Sequence, residues 1–213
     1  MHNNFIGCPY MHQLTLNGKG KVRANPDIAI MNIGIITEDK ELEKAQQQNA
    51  ATTSAVIHSL KAAGIKDTDI QTINYSVNPE YDYVEGRQVF RAYRVINTLR
   101  VTIRAIDRAG AIIDRAARNG ANEIGNIQFT VSDSSMYYNQ ALNLAIKDAI
   151  GKATEIEKTF GYNINKTPIS ITEETVSFTP KMDFAMMRSE DATPIQPGEL
   201  EITASVKVVF GYN

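Results

Sequence analysis

Residues 14–22 alternate strictly, with Leu14, Leu16, Gly18, Gly20 and Val22 on one side and Thr15, Asn17, Lys19 and Lys21 on the other. A period of two is the mark of a half-buried strand. Asn25-Pro26-Asp27 supplies turn chemistry, and the run Ile28 to Thr37, apolar on both faces, predicts a more buried strand paired with the first. From about Lys40 to Ala63 the spacing changes to three, four and seven at Leu42, Ala45, Asn49, Val56, Leu60 and Ala63, which predicts a helix stopped by Gly64. Ile70 to Arg104 reads as a long hairpin: Ile73, Tyr75, Val77, Tyr81 and Tyr83 alternate out, Glu85-Gly86-Arg87 turns, and Val95, Asn97, Leu99, Val101 and Ile103 alternate back.

A short helix capped by Asp107 and ended by Asn119-Gly120 carries Ile112, Ile113, Ala116 and Ala117. A strand over about Glu123 to Ser132 follows, with Ile127, Phe129 and Val131 on one side. Ser134 and Ser135 open the longest helix, whose stripe is Tyr138, Leu142, Ala145, Ala149, Ala153, Ile156 and Phe160 before Gly161. Ile169 to Phe178 predicts a further strand. The last stretch, Leu200 to Tyr212, alternates most cleanly and predicts a strand central to a sheet. This order is not a βα repeat, so it predicts an α+β fold, largely antiparallel sheets packed by three helices. Residues 1–12 are expected to be a flexible segment, 13–213 one domain, and 180–198, with three of the seven prolines and three of the seven methionines, a mobile loop.

At 213 residues with 43% hydrophobic and 22% charged content, the chain can bury a full core. A net charge of −2 gives no overall drive toward nucleic acid or an anionic membrane. The single cysteine, Cys8, excludes an intramolecular disulfide, and three histidines leave little for a metal cage, so no cofactor and no metal are expected. No window reaches the roughly 20 apolar residues of a membrane-spanning helix. The opening residues carry no basic, apolar and cleavage regions, so the chain as written reads as cytoplasmic, and as periplasmic or secreted if a leader has been removed.

Several patterns, in this order, resemble the SIMPL-domain family: Leu14 to Val22 with Asn25-Pro26-Asp27, the Gly64-Ile65 to Asp69-Ile70-Gln71-Thr72 link, Pro79-Glu80-Tyr81 with Tyr93, Gly120-Ala121-Asn122, the helix Ala145 to Gly161, and Pro194-Ile195-Gln196-Pro197-Gly198-Glu199 before the last strand. The resemblance covers about residues 13–213. It implies a bacterial protein of the secreted or periplasmic kind, related to envelope immunogens and oxidative-stress proteins, and similar in one group to ring-like, channel-shaped homo-oligomers. It implies no catalytic residues.

The candidate chemistry is modest. Gly18-Lys19-Gly20-Lys21 has glycines and lysines but no helix after it, so the glycines are expected to admit a neighbouring element rather than cradle phosphate. Cys8 and His58 lack a nucleophile motif around them, and Glu173 and Glu174 face opposite ways on a strand. Tyr75, Tyr81 and Tyr83 share a hairpin face, read as core packing or an oligomer contact. Eight of the ten arginines lie between Arg87 and Arg118, and Arg94, Arg100 and Arg104 form a stripe opposite the apolar side. Such a stripe either binds an anion or pairs with acids such as Glu80 and Asp82, and nucleic acid is the disfavoured partner. Met182, Met186 and Met187 have the softness for Cu(I), but with Phe184 they are read as a partner contact. The expectation is a non-enzymatic, self-associating protein with a stress- or envelope-related role. An anionic-ligand or nucleic-acid module using the arginine stripe is the first alternative, and an enzyme of unrecognised type the second.

Overall fold

The computed structural model describes residues 12–180 and 193–213, the stretch 175–180 by its backbone alone. The elements run β1 (His12–Ala24), β2 (Ile28–Asp39), α1 (Leu42–Ala62), β3 (Ile70–Val84), β4 (Arg87–Ile103), α2 (Ala109–Arg118), β5 (Glu123–Thr130), α3 (Ser134–Phe160), β6 (Ser170–Pro180) and β7 (Leu200–Tyr212). Short 3-10 turns at Asp67–Asp69 and Ile106–Arg108 precede β3 and α2. The strands form two antiparallel sheets, so the α+β class holds. The stretch read as one domain divides into two compact units: 12–24, 133–180 and 199–213 in the first, 25–132 and 193–198 in the second.

The first unit is a sheet of order β1-β7-β6 with α3 on one face. β7 is central, as its alternation predicts, and Ile202, Ala204, Val206, Val208 and Phe210 are buried on the α3 side. Small residues let the helix come close. Ala141, Ala145, Ala149 and Ala153 are buried on α3, while Gly18 and Gly20 on β1 have no room for a side chain against Ala145 and Ala141. The glycines therefore admit a helix, as read from sequence. The helix begins at Asp133, whose carboxylate accepts from the Met136 N–H at 2.9 Å, and ends at left-handed Gly161. Phe160 does not belong to the buried stripe; it is 67% exposed and stacks on Tyr162 at 5.9 Å.

The second unit is a sheet of order β3-β4-β2-β5. β2 does not pair with β1. It lies between β4 and β5, with Ala29 opposite Ile103 and Phe129, while β1 runs with β7 from Leu14 opposite Phe210 to Ala24 opposite Leu200. The link Asn25-Pro26-Asp27 is held elsewhere than in a hairpin turn. The Asp27 N–H donates instead to the Thr130 carbonyl, and its carboxylate accepts from Ser132, so the chain is fastened to the end of β5. β2's two apolar faces follow from its central place.

α1 and α2 cover one face, burying Met31, Ile33 and Ile35 of β2, Leu99, Val101 and Ile103 of β4, Val56 and Leu60 of α1, and Ile112 of α2. Asn49 is buried there, its amide donating to the Ile35 and Val95 carbonyls at 2.9 and 3.3 Å. Asp107 does not cap α2: it sits in the preceding 3-10 turn, and α2 has no side-chain cap. Within 180–198, residues 193–198 are anchored. The Thr193 hydroxyl donates to Asp114 at 2.7 Å, its carbonyl lies against Gly110, and Ile195 packs on the core.

Candidate functional site

Strand lengths in the second unit do not match. β2 pairs with β4 only from Ile103 back to Tyr93, opposite Asp39. β3 and β4 continue as a pair from Glu80 opposite Ala92 to Val84 opposite Arg87. Residues 80–92 are therefore a two-stranded ribbon beyond the sheet, about 20 Å long at 3.3 Å per residue. Glu85 and Gly86, with φ of 49° and 77°, form the turn. Positive φ at both central positions is the type I′ geometry that follows strand twist.

Every residue from 81 to 90 is exposed. Tyr81 and Phe90 are opposite each other, with rings 5.9 Å apart, and Phe90 meets Tyr93 at 5.1 Å. The β3–β4 register shifts between Glu80 and Tyr81, where Arg91 of β4 is the extra residue, and β3 itself gains no residue there, so Tyr75, Tyr81 and Tyr83 stay on one face by strand parity. They are 52%, 44% and 76% exposed, which excludes the core-packing account for them. Val84 and Val89 are also exposed, at 54% and 48%. Arg91 ties the base of the ribbon to the sheet, bonding Glu38 at 2.8 and 3.3 Å and lying 3.5 Å from Asp82.

β1 presents a different kind of edge. The Lys19 N–H donates to Asp148 at 2.9 Å, and the Lys152 ammonium donates to the Asn17 carbonyl at 2.8 Å. The Lys152 and Lys19 donors hold Asp148 below the usual carboxylate range. Two backbone groups that a further strand would need are thus already occupied.

The arginine stripe is partly dispersed. Arg94 and Arg100 share the face of β4 opposite the core, where Arg94 lies 3.8 Å from Glu38. Arg104, just past the strand, turns to Asp69 and donates from Nε and Nη2 at 3.0 and 2.9 Å. The acids that Arg94 and Arg104 meet come from β2 and the 3-10 turn rather than from Glu80 and Asp82. Arg100 is exposed and makes no ion pair among the described residues. His58 is exposed on α1, and Glu173 accepts a hydrogen bond from the Tyr138 hydroxyl, which pushes that phenol up to about 12. Met182, Phe184, Met186 and Met187 lie outside the described residues.

The ribbon is not legible from sequence as an overhang, because that requires the register of β4 against β2. Its only sequence signal is that alternation in the hairpin runs longer than in the strand beside it.

These two units and their ribbon have relatives. The family model for SIMPL, a protein of unknown function (DUF541), matches residues 14–210, so the chain belongs to the SIMPL family. It is similar to the uncharacterized protein YggE of Escherichia coli K12, 28% identical over 195 residues covering 91% of this chain and 78% of the relative. It is also similar to the 26 kDa periplasmic immunogenic protein of Brucella melitensis, 27% identical over 213 residues covering 93% of this chain and 84% of that protein.

Proposed function

We propose that the protein is a non-enzymatic domain that acts by self-association, with the β3–β4 ribbon as the contact between copies. The observation that carries this reading is the ribbon itself. An isolated two-stranded hairpin is marginal in water, and this one holds three aromatic and two β-branched apolar side chains in solvent. Covering Tyr81, Tyr83, Val84, Val89 and Phe90 would remove on the order of several hundred Å2 of largely apolar surface per copy. Interfaces of standard size bury about 800 Å2 per partner, so the ribbon supplies the centre of a contact and its surroundings the rim. The buried polar side chains of the second unit have structural duties that fit a non-enzymatic role: Asn49 binds strand carbonyls, Thr53 donates to Asn49, and Asp69 holds Arg104. An envelope placement rests on the name of the periplasmic Brucella relative, and a stress-related role on family resemblance alone.

The test is solution mass by light-scattering chromatography at low and high salt, for the wild type and for Tyr83→Lys with Val84→Lys. Both positions are exposed at the tip, so the fold tolerates them. The wild type should be a discrete oligomer in both salts, and the variant should fall toward the monomer. A monomeric wild type, or a variant of unchanged mass, would overturn the reading.

A further inference from the structure

Away from the ribbon, the second unit has a small, partly open cavity of about 170 Å3 where the end of α1 meets the start of α2. Its floor is apolar, with Ile65 and Ile112 buried. Its rim carries Lys66, Asp69, Arg104 and Arg108. The lining thus holds three cations and one acid, with Asp27 outside it as a second acid felt by Arg104.

The partners sharpen that imbalance. Asp69 is 8% exposed and takes two donors from Arg104, which fixes the guanidinium at the rim while the arginine side chain stays 55% exposed. A guanidinium has five N–H donors, so three remain for another acceptor. The nearby acid Asp67 is matched by Lys61 at 2.5 Å. The Lys66 ammonium and the Arg108 guanidinium make no hydrogen bond or ion pair among the described residues. Arg108 lies over Gly64, 4.0 Å from where a side chain would begin. Gly64 has φ of +93°, so glycine is favoured there and the space stays open.

From this geometry we infer that the cavity binds a small, doubly charged oxyanion, a phosphate or a short phosphate monoester. The volume equals roughly six waters in bulk, which suits a phosphate group. A guanidinium held rigid by a buried carboxylate, beside a second arginine and a lysine, suits charge-assisted bonding to its oxygens. The site is not the arginine stripe expected from sequence: Arg104 has left that stripe for Asp69, and the other cations of the cavity are Arg108 and Lys66 rather than Arg94 and Arg100.

The experiment is calorimetric titration of the full chain with inorganic phosphate at fixed ionic strength, on the wild type and on Arg108→Gln, Lys66→Gln and Arg100→Gln. Arg108, Lys66 and Arg100 are exposed, so each variant should fold, and thermal unfolding with and without phosphate gives a second reading of binding. One saturable site per chain is expected. Arg108→Gln should weaken it roughly ten- to hundred-fold, Lys66→Gln less, and Arg100→Gln should bind as wild type. No saturable binding, an Arg108→Gln variant of unchanged affinity, or equal weakening by Arg100→Gln would each overturn the inference. Ribbon variants should bind phosphate normally, so this result and the oligomer result stand apart.

Discussion

Replacing Gly20 with alanine tests whether close packing of α3 on β1 holds the first unit together. A methyl carbon at that position would lie 1.9 Å from the Ala141 carbonyl oxygen, 2.5 Å from the Ala145 nitrogen and 2.8 Å from Leu144 Cβ. An acceptable carbon–oxygen distance is about 3.3 Å, so α3 would have to withdraw by roughly 1.4 Å. A rotamer change cannot provide that, because two of the obstacles are backbone atoms. The helix cannot tilt away locally either, since Ala145 and Ala149 rest against Gly18 one pair further along. Overpacking a core costs about 1–3 kcal/mol, and an obstacle made of backbone puts Gly20→Ala near the top of that range. Alanine's smaller unfolded-state entropy offsets about 0.5–1 kcal/mol, leaving a net loss of about 2 kcal/mol.

Gly151 supplies the opposite case. It lies on the exposed side of α3 with nothing within 4 Å of the place a methyl would occupy, so Gly151→Ala should gain about 0.5–1 kcal/mol. Urea unfolding followed by circular dichroism reads both through the midpoint at constant slope. A Gly20→Ala variant within about 0.5 kcal/mol of wild type, or the same sign of change at both sites, would refute the packing argument.

Two further outcomes follow from the second unit. The Asp69 carboxyl is held below its usual range by the Arg104 hydrogen bond, against the opposing effect of burial, with the charges of Arg104 and Lys66 adding to the lowering. The unfolded chain therefore takes up this proton at higher pH than the folded one, so the stabilisation is whole above the ordinary carboxylate range and is lost as pH falls through the lowered value. Asp69→Asn should lower the urea midpoint at neutral pH, with the gap to wild type closing in acid; a gap that does not change with pH would contradict this. At the ribbon turn, Glu85 holds φ of 49°, which asparagine adopts more readily, so Glu85→Asn should stabilise the hairpin by about 0.5–1 kcal/mol. Slower amide exchange across 80–92 is the check, and unchanged exchange would count against the turn assignment.

Much of this architecture can be read from local periodicity. β7 is legible because every second residue faces α3, and the Gly18 and Gly20 reading holds because a strand that carries glycines on its buried side leaves room for a close neighbour. Parity along β4 correctly sets Arg94 and Arg100 on one face. What local pattern does not carry is pairing between distant segments. Leu14 meets Phe210, and β2 meets β4 and β5, through contacts that no window of sequence contains. The destinations of the arginines have the same origin: Glu38 and Asp69 reach them only once β2 and the 3-10 turn are in place. The charged cavity combines the end of one helix, the start of another and the residue after β4, so no motif could announce it.

Self-association through the ribbon is tested most directly by amide hydrogen exchange over residues 80–92 at low and high protein concentration. A ribbon covered by a second copy should gain protection as concentration rises, while the central strands β2 and β7 stay unchanged. Exchange in the ribbon that is fast and independent of concentration would contradict the account.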